Sequence, residues 1–252
     1  MNKYSPIGIF DSGIGGLSVL RALRKELPLE SFIYMADSGN APYGRLSPDE
    51  IIRLSSKNTE FLIKKNAKLI VVACNTATGA AIKHLRESYS VPFVGMEPAV
   101  KPAALLSKTG KIGVLATART FEANHFNSTV DRYTGDVDVT VKVGDGLVEL
   151  VEKGMLDTPE LMNMLEEYLA PLIKEGIDQL VLGCTHYPFL TSAIRKIIPE
   201  SIVIHDPAPA VASQTRRVLS KYNGLVPDKK LLEDEFYSSG NRSVLDEMLI
   251  NL

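Results

Sequence analysis

The sequence predicts an α/β fold of two similar domains, each built on a parallel sheet. Three observations point to it. Apolar runs rich in β-branched residues alternate with helical patterns along the whole chain, as in successive βα units with buried parallel strands. The chain also echoes itself. Ile7-Gly8-Ile9-Phe10-Asp11-Ser12-Gly13 is matched by Ile112-Gly113-Val114-Leu115-Ala116-Thr117-Ala118, and the segment at Cys74 by the segment at Cys184. Finally, Glu97-Pro98-Ala99-Val100 is matched by Asp206-Pro207-Ala208-Pro209-Ala210-Val211. The offsets are 105, 110 and 109 residues, so order is kept and spacing nearly so. Any two βαβ units share some likeness, but three echoes in order favour duplication of a whole unit, and the period is too long for a solenoid.

In chain order, strands are expected at 7–10, 32–35, 69–73, 92–95, 112–116, 139–143, 179–183, 202–205 and 236–238, with helices between them. The helix near 47–65 opens with Ser47-Pro48-Asp49-Glu50, an N-cap serine, a proline at the first helical position and a capping-box glutamate. The helix near 158–175 opens similarly with Thr158-Pro159-Glu160. The two acidic-Pro-Ala segments read as crossings between domains. The first domain is then 1–97 plus 207–252, and the second is 98–206. The returning tail brings its strand at 236–238 to the first sheet.

Bulk properties exclude several classes. The chain has 252 residues, 45% hydrophobic and 23% charged, the balance of a soluble globular protein. A net charge of −2 gives no basic surplus for nucleic acid and no basic run for a membrane surface. No apolar run approaches the roughly 18 residues that span a bilayer. The first residues run straight into a strand without a signal-peptide pattern. Two cysteines make no disulfide framework, so the expected compartment is the cytoplasm, where both stay reduced.

Those two cysteines are the strongest chemical signal. Ile70-Val71-Val72-Ala73 leads into Cys74-Asn75-Thr76, and Leu180-Val181-Leu182-Gly183 into Cys184-Thr185-His186. Ligands of open α/β sheets sit just beyond the carboxyl ends of strands. One buried cysteine would read as core. Two at equivalent places read as an acid and a base on either side of a substrate. The helix that follows each is expected to lower the thiol pKa, and the neighbouring Asn, Thr and N–H groups to bind a carboxylate. His186 can tune the thiol or move a substrate proton.

Other segments leave more than one reading. Phe10-Asp11-Ser12-Gly13-Ile14-Gly15-Gly16 is a strand, a glycine-rich turn and a helix start, a nest for a phosphate or a carboxylate. Its spacing fits no dinucleotide motif, and it has no phosphate-loop lysine. Asp11 either caps the helix or faces a substrate ammonium or a catalytic partner. Asp37-Ser38-Gly39-Asn40-Ala41-Pro42-Tyr43-Gly44-Arg45 is loop material that offers backbone donors and an aromatic wall. Glu149 and Glu152 share one side of a short amphipathic helix and read as solvated. His84 and His125 fall on helical faces; His205 is ambiguous. Zinc is a rival use of two cysteines and a histidine, but no CxxC or HxxxH spacing supports it.

Taken together, Phe10-Asp11-Ser12-Gly13-Ile14-Gly15-Gly16-Leu17, Pro42-Tyr43-Gly44, Val72-Ala73-Cys74-Asn75-Thr76-Ala77 and Gly183-Cys184-Thr185-His186-Tyr187-Pro188 resemble the glutamate racemases of the aspartate/glutamate racemase superfamily. The resemblance implies two flavodoxin-like domains related by a pseudo-two-fold axis, with the active site in the cleft between them. It implies racemisation of L- and D-glutamate without a cofactor or metal, supplying D-glutamate for peptidoglycan. By position, Cys74 takes the α-proton from D-glutamate with Asp11 assisting, and Cys184 from L-glutamate with His186 assisting. Glu152 matches an auxiliary acid. Asp11, Ser12, Pro42, Tyr43, Gly44, Cys74, Asn75, Thr76, Thr117, Thr120, Cys184, Thr185 and His186 would hold the substrate. A homodimer is expected.

The chain departs from many relatives at Lys142-Val143-Gly144-Asp145-Gly146, where they carry a Cys-Pro-like segment, and Asp145 adds a charge near Glu152. It also lacks the N-terminal extension of the branch activated by a peptidoglycan precursor, so such activation is not expected. Another superfamily activity, such as aspartate racemisation or decarboxylation, remains open, as does a non-catalytic amino-acid-binding role. A decarboxylase needs only one cysteine, and a binding protein needs neither.

Overall fold

A computed structural model describes residues 2–122, 135, 137–250 and 252. Nine strands lie among them: β1 Ile7–Asp11, β2 Phe32–Ala36, β3 Leu69–Val72, β4 Phe93–Gly95, β5 Lys111–Ala116, β6 Asp138–Val143, β7 Gln179–Leu182, β8 Val203–His205 and β9 Glu235–Ser238. They form two sheets, ordered β4-β3-β1-β2-β9 and β6-β5-β7-β8. Every pairing is parallel. The first four strands of each half therefore follow one order, second-first-third-fourth. Strands β1, β3 and β4 correspond to β5, β7 and β8, which are the pairs whose sequences echo one another. Central strands β1, β3 and β7 are buried along their whole length, which is why they read as unbroken apolar runs.

Both N-cap expectations hold. Ser47 Oγ accepts from the Glu50 N–H at 3.3 Å at the start of helix Pro48–Lys64. Thr158 Oγ1 accepts from the Leu161 N–H at 3.2 Å at the start of helix Pro159–Glu175. β9 lies at the edge of the first sheet beside β2, with Ile33 opposite Glu235 and Ala36 opposite Ser238. Helix Ala208–Lys221 packs on helix Leu17–Glu26 of the first half. One apolar cluster includes Ile9, Ile14 and Tyr34 from the first half, and Val148, Leu182 and Tyr187 from the second.

A buried ion pair ties the returning tail to the amino ends of the first sheet's strands. Lys68 Nζ meets Glu30 Oε2 at 2.5 Å and donates to the Gly224 carbonyl at 2.9 Å and to the Lys3 carbonyl. Glu30 Oε1 accepts the Val226 N–H at 3.0 Å. Removing one partner would leave the other charge buried, so Lys68→Ala should cost about 3–5 kcal/mol. Urea unfolding checks this, and a loss below about 1 kcal/mol, the range of an exposed pair, contradicts it. No helix among the described residues is long and apolar enough to cross a membrane.

Candidate active site

The turns that follow β1, β3 and β7 meet at a small cavity. Its walls are Ser12, Pro42, Tyr43, Gly44, Cys74, Asn75, Thr76, Thr117, Val148, Cys184, Thr185 and His186, drawn from both halves of the chain. All but Val148 were singled out in the sequence. Asp11, Thr120 and Glu152 stand behind this lining and touch it.

Cys74 ends the β3 segment and is the N-cap of helix Asn75–Ser88; its sulfur accepts from the Ala77 N–H at 3.4 Å. Ser12 Oγ lies 3.7 Å from the same sulfur. The expected lowering of this thiol's pKa does not occur. Burial pushes it up to about 12, the Asp11 charge adds to that, and the Ala77 and Ser12 contacts only partly oppose them. Asp11 bears on Cys74 through its charge. Its oxygens bond elsewhere, accepting from the Gly13 N–H at 3.0 Å and from Thr185 Oγ1 at 3.2 Å. Burial raises the Asp11 pKa, and the charge of His186 opposes this.

The Cys184 side is built differently. Its sulfur lies 3.6 Å from His186 Nδ1, and His186 Nε2 lies 2.6 Å from Glu152 Oε1. Burial alone would push the His186 pKa down, but the hydrogen bonds to Cys184 and Glu152 outweigh it and hold it well above the ordinary value. Burial would likewise raise Glu152, but His186 and the Ile14 N–H hold it below its usual value. The ring is thus held between the Cys184 sulfur and the Glu152 carboxylate, two contacts that favour its charged form. Glu152 is not a solvated side chain: it accepts the Ile14 N–H at 2.7 Å and the Ser38 hydroxyl at 3.3 Å. Glu149 also has a partner, an ion pair with Arg45 across the mouth of the cleft.

The N–H groups of the glycine-rich turn hold carboxylates of the protein itself, that of Gly13 donating to Asp11 and that of Ile14 to Glu152. A Cβ on Gly13 would stand 1.8 Å from Glu152 Oε1, and one on Gly15 2.4 Å from His186 Nδ1. These glycines let two side chains of the second half press against the backbone of the first. The hydroxyls of Thr76, Thr117 and Thr120 join the halves on the opposite wall, at 2.9–3.3 Å from one another. The Asn75 side chain is buried, yet among the described residues neither its oxygen nor its nitrogen has a hydrogen-bond partner. A buried amide in that state is poised for a polar ligand.

Composition gave no reason to single out the residues that support this lining. Asp37 is buried and accepts from Tyr43 Oη at 2.5 Å, Ser239 Oγ at 2.5 Å and Asn40 Nδ2 at 2.9 Å. It fixes the Pro42-Tyr43-Gly44 wall to the end of β9. The Lys142–Gly146 departure is held by its backbone: Tyr187 Oη donates to the Gly144 carbonyl at 3.1 Å, and Tyr168 Oη to that of Asp145 at 2.9 Å. The Asp145 residue is exposed, so its charge lies in solvent. His84 bonds Ser88 on an exposed helix face, and His205 bonds Gln179 at 2.7 Å. His125 lies outside the described residues. Among the described residues, no group of three or more His, Cys, Asp or Glu is arranged to hold a metal ion.

Comparison with known proteins gives consistent likenesses. The Asp/Glu/Hydantoin racemase family profile matches residues 17–215. A glutamate racemase from Herpetosiphon aurantiacus is 48% identical over 239 residues, covering 95% of this chain and 94% of the relative. The crystal structure of a glutamate racemase isoform from Bacillus anthracis superposes with a TM-score of 0.87 at 33% identity, covering 100% of this chain and 96% of that one. The Escherichia coli glutamate racemase, in complex with L-glutamate and the activator UDP-MurNAc-ala, gives a TM-score of 0.86 at 32% identity, covering 98% and 94%.

Proposed function

Because this chain belongs to the Asp/Glu/hydantoin racemase family, we propose that its cleft interconverts L-glutamate and D-glutamate with Cys74 and Cys184 as the two bases. The protein is an amino-acid racemase, an isomerase. The observation that carries the two-base reading is the pair of buried thiols, at the ends of matching third strands in two like-ordered sheets, lining one cavity.

Cys74 takes the α-proton from D-glutamate and Cys184 from L-glutamate. The thiolate on one face removes the proton, the electron pair spreads from Cα into the carboxylate, and the thiol on the other face delivers a proton. The two sulfurs exchange roles at each turnover. An α-proton beside a carboxylate is far less acidic than a thiol, so the intermediate needs fixed donors in a dry site. The unpaired Asn75 amide, the hydroxyls of Ser12, Thr76 and Thr185 and the threonine pair at 117 and 120 supply them. A substrate ammonium beside Asp11 offsets the charge that disfavours the Cys74 thiolate. On the other face His186 lies against the Cys184 sulfur, with Glu152 holding the ring.

We assign residues 1–97 and 207–252 to one domain and 98–206 to the other, an assignment supported by the membership of the two sheets. The working form is a cytoplasmic homodimer, and the D-glutamate feeds peptidoglycan synthesis. The decisive test is the optical rotation of L-glutamate incubated with pure, metal-free protein. It should decay to zero as D-glutamate accumulates. Persistent rotation, or activity with aspartate alone, overturns the reading.

A further inference from the structure

One buried hydroxyl lies outside the lining of the cleft and yet connects with its chemistry. Tyr34 sits on β2 opposite Ile9, fully buried in an apolar layer where phenylalanine would fill nearly the same space. Its hydroxyl donates to the Gly13 carbonyl at 2.7 Å and lies where a Cβ on Gly16 would stand 2.8 Å away. The peptide it holds is occupied at both ends. The same unit's N–H, that of Ile14, donates to Glu152 Oε1 at 2.7 Å. That oxygen is the one 2.6 Å from His186 Nε2, and His186 Nδ1 is 3.6 Å from the Cys184 sulfur. A single line of hydrogen bonds therefore runs from Tyr34, through one peptide plane, to Glu152, His186 and Cys184. Chains of this kind strengthen one another link by link: a carbonyl that accepts a bond makes its own peptide N–H a better donor. Among the described residues, the hydrogen bonds of the Cys74 sulfur are with Ser12 and the Ala77 N–H, and Tyr34 bears on it through no such line of bonds.

We propose that Tyr34 is a positioning residue for the Cys184 face of the reaction, fixing Glu152, and through it His186, by orienting the Gly13–Ile14 peptide. This rests on the two-base reading above. Without the hydroxyl, the Gly13–Ile14 plane is free to tilt, the carboxylate loses its fixed donor, and the ring is held less firmly against the sulfur. Tyr34 itself moves no proton and touches no substrate.

The test uses elimination of HCl from β-chloroglutamate, which needs only one base and so reports each face separately. In Tyr34→Phe, elimination from the L-enantiomer should fall roughly 10-fold in kcat with KM little changed, and elimination from the D-enantiomer should stay within about 2-fold. The His186 Nε2–H proton resonance, held at low field by Glu152, should move upfield. An equal fall with both enantiomers, or an unmoved resonance, overturns the proposal. A fluorotyrosine at position 34 keeps the hydroxyl as a stronger donor; it should preserve the L-enantiomer rate and shift the resonance the other way. If Tyr34→Phe does not fold, that shift decides the matter, and its absence overturns the proposal. Cys74→Ser and Cys184→Ser, run alongside, distinguish the two claims: if they fail to sort the enantiomers, the two-base reading falls and this proposal with it. If they sort them and Tyr34→Phe does not, only the proposal falls.

Discussion

Serine in place of either Cys74 or Cys184 should lower racemisation by about 10²–10⁴-fold while leaving each variant able to perform half of the chemistry. A hydroxyl is far less acidic than a thiol, so the altered face loses its base. The other face keeps its own. With β-chloroglutamate, the surviving thiolate takes the α-proton, the electron pair forms the Cα–Cβ double bond, and chloride leaves. Cys74→Ser should therefore eliminate HCl from the L-enantiomer only, and Cys184→Ser from the D-enantiomer only. Both side chains are nearly buried, at 4% and 7% exposure, so the smaller oxygen leaves little room for water to serve as a substitute base. Wild-type racemisation by either variant would remove that cysteine from the mechanism.

A methyl group at Gly15 should be nearly as damaging, although the residue has no functional group. The added Cβ would fall 2.4 Å from His186 Nδ1, with the ring's Cε1 and Cγ at 2.6 and 2.7 Å. The ring cannot retreat without leaving Glu152, which lies 2.6 Å from its far nitrogen. Gly15→Ala should cost about 10²-fold in kcat, since a displacement of about 1 Å at a catalytic group has that effect. Gly13→Ala, whose Cβ would stand 1.8 Å from Glu152 Oε1, should behave the same way. As a control, alanine at Gly110 meets nothing within 4 Å and should leave turnover unchanged; its positive φ confines the cost to stability. Steady-state kinetics on folded protein checks all three. Normal turnover by Gly15→Ala would mean that the approach of His186 is not required.

Much of this architecture was legible because its causes are local. Buried parallel strands need unbroken apolar runs, and Ile70–Ala73 and Leu180–Gly183 carry them. The N-caps at Ser47 and Thr158 are fixed by their own next three residues. The part of the cavity wall around Cys74 and Cys184 was legible because polar residues directly after buried strands have few other uses; Pro42, Tyr43, Gly44 and Thr117 were legible only through the resemblance. What could not be read depends on distant partners. Glu152 lies on a helix whose pattern reads as a solvated face; only the resemblance marked it as an auxiliary acid, and its bond to the Ile14 N–H, 138 residues earlier, is invisible in the pattern. The purpose of Gly13 and Gly15 is set by side chains from the other half. Cys74 sits at a helix start, as expected, yet burial outweighs the helix and sets its pKa. Tyr34 looks like any core aromatic until the destination of its hydroxyl is known.

The placement of β9 bears on how the protein is made. β2 is an edge strand until residues Glu235–Ser238 arrive to cover it, and Asp37 lacks its Ser239 partner until the same moment. On a ribosome, the whole of the second sheet emerges before that edge can be closed. The nascent chain therefore carries an open strand edge, a template for pairing with another chain, through nearly all of its synthesis. Premature termination anywhere before residue 235 leaves that edge exposed in the released product. Such fragments should aggregate even where they contain both cysteines, and the segment that carries β9 guards against association as much as it completes the first sheet.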